Sequence, residues 1–131
     1  MKYLMLAYTN AQAWQSAMAD FDPNAPMPAD VQAACDFYEQ LAKELTESGE
    51  FVTTEGLADP THTKTIRKRA QSGPEVTDGP YAEVKEVLAS YAIIDCESYD
   101  RAVAIGARIA DAVGDTIEIR PIMDAYGAPD L

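Results

Sequence analysis

A chain of 131 residues has room for one hydrophobic core and is too short for two good ones. Apolar residues make up 47% and charged residues 24%, which argues against wholesale disorder, and no apolar run approaches the roughly 20 residues a membrane-spanning helix needs. The formal net charge of -12 repels phosphate backbones and anionic lipid, so neither nucleic acid nor membrane is expected as a partner.

The chain opens with MKYLMLAYTN. Its apolar part is too short for a signal-peptide core and no small-residue cleavage site follows, so it reads as a strand and the protein as cytoplasmic. From Lys2 to Tyr8, Leu4, Leu6 and Tyr8 fall on one face and Tyr3, Met5 and Ala7 on the other. A strand apolar on both sides is covered on both sides. Thr9 to Met27, with Pro23, Asn24 and Pro26, reads as a loop with a short helical turn around Ala13 to Met18.

A helix follows. Pro28 suits its first position, Asp30 complements the positive end of the dipole and Gly49 stops it. Val31, Ala34, Cys35, Tyr38, Leu41, Ala42 and Leu45 form an apolar stripe at helical spacing. Phe51 to Leu57 reads as a strand in which Phe51, Thr53, Glu55 and Leu57 share a face. Asp59 and Pro60 make a turn, and Thr63 to Arg69 suits an edge strand whose charges discourage unwanted pairing. Its basic residues Lys64, Arg67, Lys68 and Arg69 are too few to reverse the acidity of the whole. After a turn at Ser72 to Pro74 comes a brief extended piece at Glu75 to Thr77.

Asp78, Gly79 and Pro80 break the regular structure. Val87 to Cys96 is the most strongly apolar strand. Ser98 caps a second helix with Asp100 in its first turn, and Gly114 ends it. Its stripe is Ala102, Ile105, Gly106, Ile109, Ala110 and Val113. Thr116 to Ile122 is a last strand, and a mobile tail is expected from Asp124. Cys35 and Cys96 are read as inert core thiols in a reducing compartment, since neither sits in a CxxC or metal-type spacing.

This order predicts an α+β fold: a ferredoxin-like sandwich with an extra central hairpin, forming a single domain over residues 1–123. The two helices of such a fold cover one face of the sheet. Apolar residues on the other face call for a second cover, and a like sheet from a second copy is the simplest, so a homodimer is expected.

With Asp78-Gly79-Pro80-Tyr81 the chain resembles the DGPF family, within the wider YCII-related group. The likeness extends over nearly all of it: MKYLMLAY at the start, Glu55 to Leu57, Val76 to Glu86, Tyr91 to Asp95, and Ile117 to Ile122. The resemblance implies a dimeric α+β barrel of unsettled function. Some members are thought to act with alternative sigma factors, and some relatives look like small-molecule lyases using a His–Asp pair. The one histidine here, His62, falls in a stretch that varies in the family, and no catalytic histidine carries over onto it. A Gly-Gly pair usual in the family is Ala89 and Ser90 in this chain.

Several residues could carry chemistry. Asp78 in its rigid turn is either bonded to its own backbone or held at the rim of a pocket. Tyr81, Glu83 and Lys85 follow closely, as a solvated cluster or as substrate contacts turned inward beside Asp78. Glu118 and Arg120 point the same way from the last strand, as an interface pair or as the floor of a polar pocket, with Tyr91, Ser90 and Glu55 placed to flank them. His62 is an exposed side chain or an acid–base group. Trp14 closes the pocket or merely packs. No metal site and no cofactor is expected, because no HxH or HxxxE spacing, phosphate loop or nucleophile elbow is present.

Three functions fit these residues. One is a lyase or isomerase working by proton transfer, with Asp78 as general base, Arg120 neutralising a developing oxyanion and Tyr91 orienting the substrate. Another is a ligand-binding or regulatory dimer with the same pocket and no turnover. The third is an interaction module whose charges only fix dimer geometry.

Overall fold

A computed structural model describes residues 1–79 and 85–124. Among them the chain runs β1 (Lys2–Asn10), α1 (Ala11–Ala19), α2 (Ala29–Ser48), β2 (Phe51–Gly56), β3 (Lys64–Arg69), β4 (Gly73–Asp78), β5 (Glu86–Asp95), α3 (Tyr99–Val113) and β6 (Thr116–Pro121). A short 3-10 turn, Pro60–His62, lies between β2 and β3. Four strands form one antiparallel sheet in the order β2-β5-β1-β6, while β3 and β4 pair separately as a hairpin. With the hairpin set aside, that order is the ferredoxin-like α+β arrangement expected from the sequence.

The helix ends follow local chemistry. The Ser98 hydroxyl accepts from the Arg101 backbone N–H, and Gly114 closes α3 at a φ of 79°. Asn10 caps α1 in the same way, accepting from the Ala13 N–H, so the stretch expected to be mostly loop holds a nine-residue helix. Between the helices and the sheet lies the core, where Tyr3, Ile94, Ile105 and Cys96 are fully buried and Leu41, Leu45 and Ile109 pack around them. Gly106 permits the closest approach: a Cβ there would stand 2.7 Å from Ile119 Cδ1.

Two readings of pattern need correction. Only Leu41 and Leu45 of the α2 stripe are buried, whereas Val31 and Tyr38 are 43% and 38% exposed and Cys35 is exposed. A 20-residue helix is about 30 Å long, and the six-residue strand beside it about 20 Å. Residues 29–36 of α2 extend past this short edge strand and none of them is buried, Cys35 included. In β2, a bulge between Phe51 and Thr53 breaks the alternation. Phe51 turns to the helices, while Thr53 and Glu55 take the opposite face, so the four residues expected together are split.

Candidate functional site

Strand register defines the sheet face that carries neither α2 nor α3. One row across it is Arg120, Leu4, Ile93 and Thr53; the next is Glu118, Leu6, Tyr91 and Glu55. A third, displaced by a bulge between Ala7 and Tyr8, is Thr116, Tyr8 and Leu88. Directly opposed residues on antiparallel strands have side chains in reach of one another. Four of the residues singled out in the sequence, Glu118, Arg120, Tyr91 and Glu55, thus lie on one surface. The register places Glu118 and Arg120 on edge strand β6 and Glu55 on edge strand β2, with half-buried Leu4, Leu6, Tyr8, Tyr91 and Ile93 between. Neither Arg120 nor Glu118 makes an ion pair among the described residues.

Ser90 does not join this group. It pairs with Ala7 and Gly56 on the helix side of the sheet. A one-residue step along a strand reverses the face, so Ser90 lies on the opposite side from its neighbour Tyr91.

Asp78 stands apart, at the end of hairpin strand β4. Its carboxylate pairs with Lys64 across the hairpin, and the two side chains are 81% and 62% exposed. Gly79 follows at a φ of 80°, a conformation that only glycine adopts readily, and its N–H donates to the Thr63 carbonyl at 2.7 Å. Among the described residues the turn is held by backbone and the carboxylate by an ammonium. Lys85 is exposed and its carbonyl accepts from the Ala11 N–H at 2.9 Å, tying the start of β5 to α1. Tyr81 and Glu83 lie outside the described residues.

His62 is exposed on the 3-10 turn. The carboxylate it neighbours, Asp59, is held below its usual range chiefly by the Thr61 backbone N–H and hydroxyl, both at 2.9 Å. The Trp14 indole N–H reaches Asp59 at 3.5 Å, so Trp14 docks α1 against this turn.

Two further clusters escaped the sequence reading. Glu50 accepts two hydrogen bonds from Arg101, each at 2.9 Å, and a third from the Ser48 hydroxyl at 2.8 Å. These bonds hold its carboxyl at about 2. At the other end of the sheet, partial burial pushes the Asp115 carboxyl up, with Glu86 adding to the effect and a hydrogen bond from Thr9 opposing it. Glu50 and Arg101 are 51 positions apart, and no local pattern announces either cluster.

Among the described residues no group of three or more His, Cys, Asp or Glu is arranged to hold a metal ion, and no helix is long and apolar enough to cross a membrane. An uncharacterised protein of Rhizobium meliloti (strain 1021) is 33% identical over 84 residues, which span 63% of this chain and 67% of that protein. The model of the YCII-related domain matches residues 1–125. The sheet order, the two helices on one face and this match over nearly the whole chain agree: the protein belongs to the YCII-related family.

Proposed function

We propose that this protein is a cytoplasmic homodimer that binds a small organic acid at the sheet face bearing Arg120, Glu118, Tyr91 and Glu55. The observation that carries the reading is the make-up of that face: an apolar centre of Leu4, Leu6, Tyr8, Tyr91 and Ile93 bordered by charges that make no ion pair among the described residues. A two-fold interface sets a patch against its own copy, so the patch must complement itself. One with an apolar middle and both signs of charge along one edge meets that condition. Covering it would place Arg120 where a fork of donors in a low-dielectric surrounding binds a carboxylate well.

Ultracentrifugation and a thermal-shift screen test this. The wild type should sediment as a dimer, and Leu6→Glu as a folded monomer with its helical circular dichroism intact. Small carboxylic acids should raise Tm, and Arg120→Ala should remove that rise. A chain that stays monomeric at every concentration, and whose Tm no acid moves, would sink the proposal.

An acid–base lyase or isomerase is a second reading, favoured by Tyr91 standing directly opposite Glu55 and in one row with Glu118, two strands away across Leu6. It assigns Asp78 as general base and requires Lys64 to release it. Under this reading Asp78→Asn abolishes turnover of an acid that still binds. If Asp78→Asn left turnover unchanged, the base would be another group.

A further inference from the structure

On the other side of the same sheet, between it and the stretch of α2 from Tyr38 to Leu45, lies a cleft of about 240 Å³. Leu41, Leu45, Phe51, Ile94 and Ile109 make it apolar, and its polar lining groups are Tyr38, Thr54 and Ser90. A narrower space of about 30 Å³, sharing Tyr38, Ser90 and Ala92 as walls, extends it towards Ile117 on β6. Protein interiors leave few voids much larger than a water molecule, and an apolar cavity of about 150 Å³ already accommodates benzene. The polar groups are selective in number and kind. Thr54 spends its hydroxyl on the Tyr91 carbonyl at 3.1 Å, but the Tyr38 and Ser90 hydroxyls make no hydrogen bond among the described residues.

We propose that this cleft is a binding site for a neutral molecule of about one ring that carries a carbonyl or hydroxyl oxygen, with Tyr38 and Ser90 donating to that oxygen. The site lies across the sheet from the proposed acid-binding face and does not depend on it. Neutrality follows from the surroundings. Burial, and then the nearby Asp115 carboxyl, push the Tyr38 phenol up, so it remains a donor. The same carboxyl disfavours an anion, and no lining residue is cationic to offset it. Size follows from the volume, which is below the roughly 300 Å³ at which drug-sized pockets begin.

Acetophenone is the probe, with ethylbenzene and benzoate as comparators, on the full-length protein with labelled methyl groups. Acetophenone should show intermolecular NOEs to Leu41, Ile94 and Ile109. It should bind more tightly than ethylbenzene, and benzoate should give no NOE to these methyls. Ser90→Ala should narrow the gap between acetophenone and ethylbenzene, and Ala92→Leu, which fills the cleft, should weaken acetophenone by at least about tenfold. NOEs to Leu4, Leu6 and Ile93 instead would overturn this site while leaving the acid-binding reading in place. Absence of binding, or benzoate entering the cleft as well as acetophenone, would overturn it also.

Discussion

Arg101 grips Glu50 in a two-bonded fork, Nε to one carboxylate oxygen and a terminal nitrogen to the other, both at 2.9 Å. The pair joins the first turn of α3 to the residue just ahead of β2, and so fastens both long helices to the same end of the sheet. Glu50 is only 14% exposed, and a carboxylate taken that far from water keeps its charge because the guanidinium and the Ser48 hydroxyl replace its hydration.

This arrangement sets a pH dependence. The folded carboxyl of Glu50 sits at about 2, below the 4.5 of a free one, so the unfolded state takes up its proton first as acid is added. The contribution is complete above pH 4.5 and is lost as pH falls towards 2. Urea titrations across that range should show wild-type stability declining more steeply than that of Glu50→Gln. At neutral pH the variant should be less stable by about 1–3 kcal/mol. Parallel curves for the two proteins would show that the fork contributes nothing.

The two thiols should behave oppositely. Cys96 is 2% exposed, and burial followed by the neighbouring Glu50 pushes it up to about 11. Cys35 lies exposed on α2. Because the thiolate is the reactive form, iodoacetamide at neutral pH should label Cys35 in the native protein and Cys96 only after unfolding. Mass spectrometry of tryptic peptides reads the two sites separately, and prompt labelling of Cys96 would contradict its placement.

Gly106 is where α3 meets β6. An added Cβ would crowd Ile119 Cδ1 at 2.7 Å and Ile117 Cγ2 at 3.3 Å. Alanine gains helix propensity and meets mainly the tip of a side chain that can rotate, so its cost is partly offset. Valine has no such relief, and Gly106→Val should cost about 1–3 kcal/mol. The urea midpoint should fall while the m-value stays unchanged.

How much of this was legible beforehand depended on range. Ser98, Gly114 and Gly49 mark helix ends through interactions within a turn, so α2 and α3 could be read from composition and spacing. Partners set by tertiary packing could not. The seven-residue stripe on α2 describes a helix buried along its whole length, yet only Leu41 and Leu45 reach the core, and Tyr38 becomes the wall of a cleft. The bulge at Val52 reverses Phe51 against Thr53, a slip that period-two counting cannot detect. For the candidate site, regular alternation along β6 sufficed to put Glu118 and Arg120 on one face. The short, rigid turn and the family motif single out Asp78, but neither tells where a separate hairpin carries it.

Asp78 and Gly79 are neighbours that should differ sharply in cost. The ion pair of Asp78 with Lys64 is solvent-exposed on both sides, and such pairs contribute little. Asp78→Asn should therefore shift stability by no more than about 0.5 kcal/mol. Among the described residues a Cβ at Gly79 meets nothing within 4 Å, but at a φ of 80° Gly79→Ala still forces an L-residue into the left-handed region, at about 1–2 kcal/mol. Chemical denaturation of both variants distinguishes the two effects. With stability nearly constant in Asp78→Asn, any loss of ligand affinity or turnover in that variant belongs to the carboxylate itself. A loss shared equally with Gly79→Ala would instead trace to the shape of the turn.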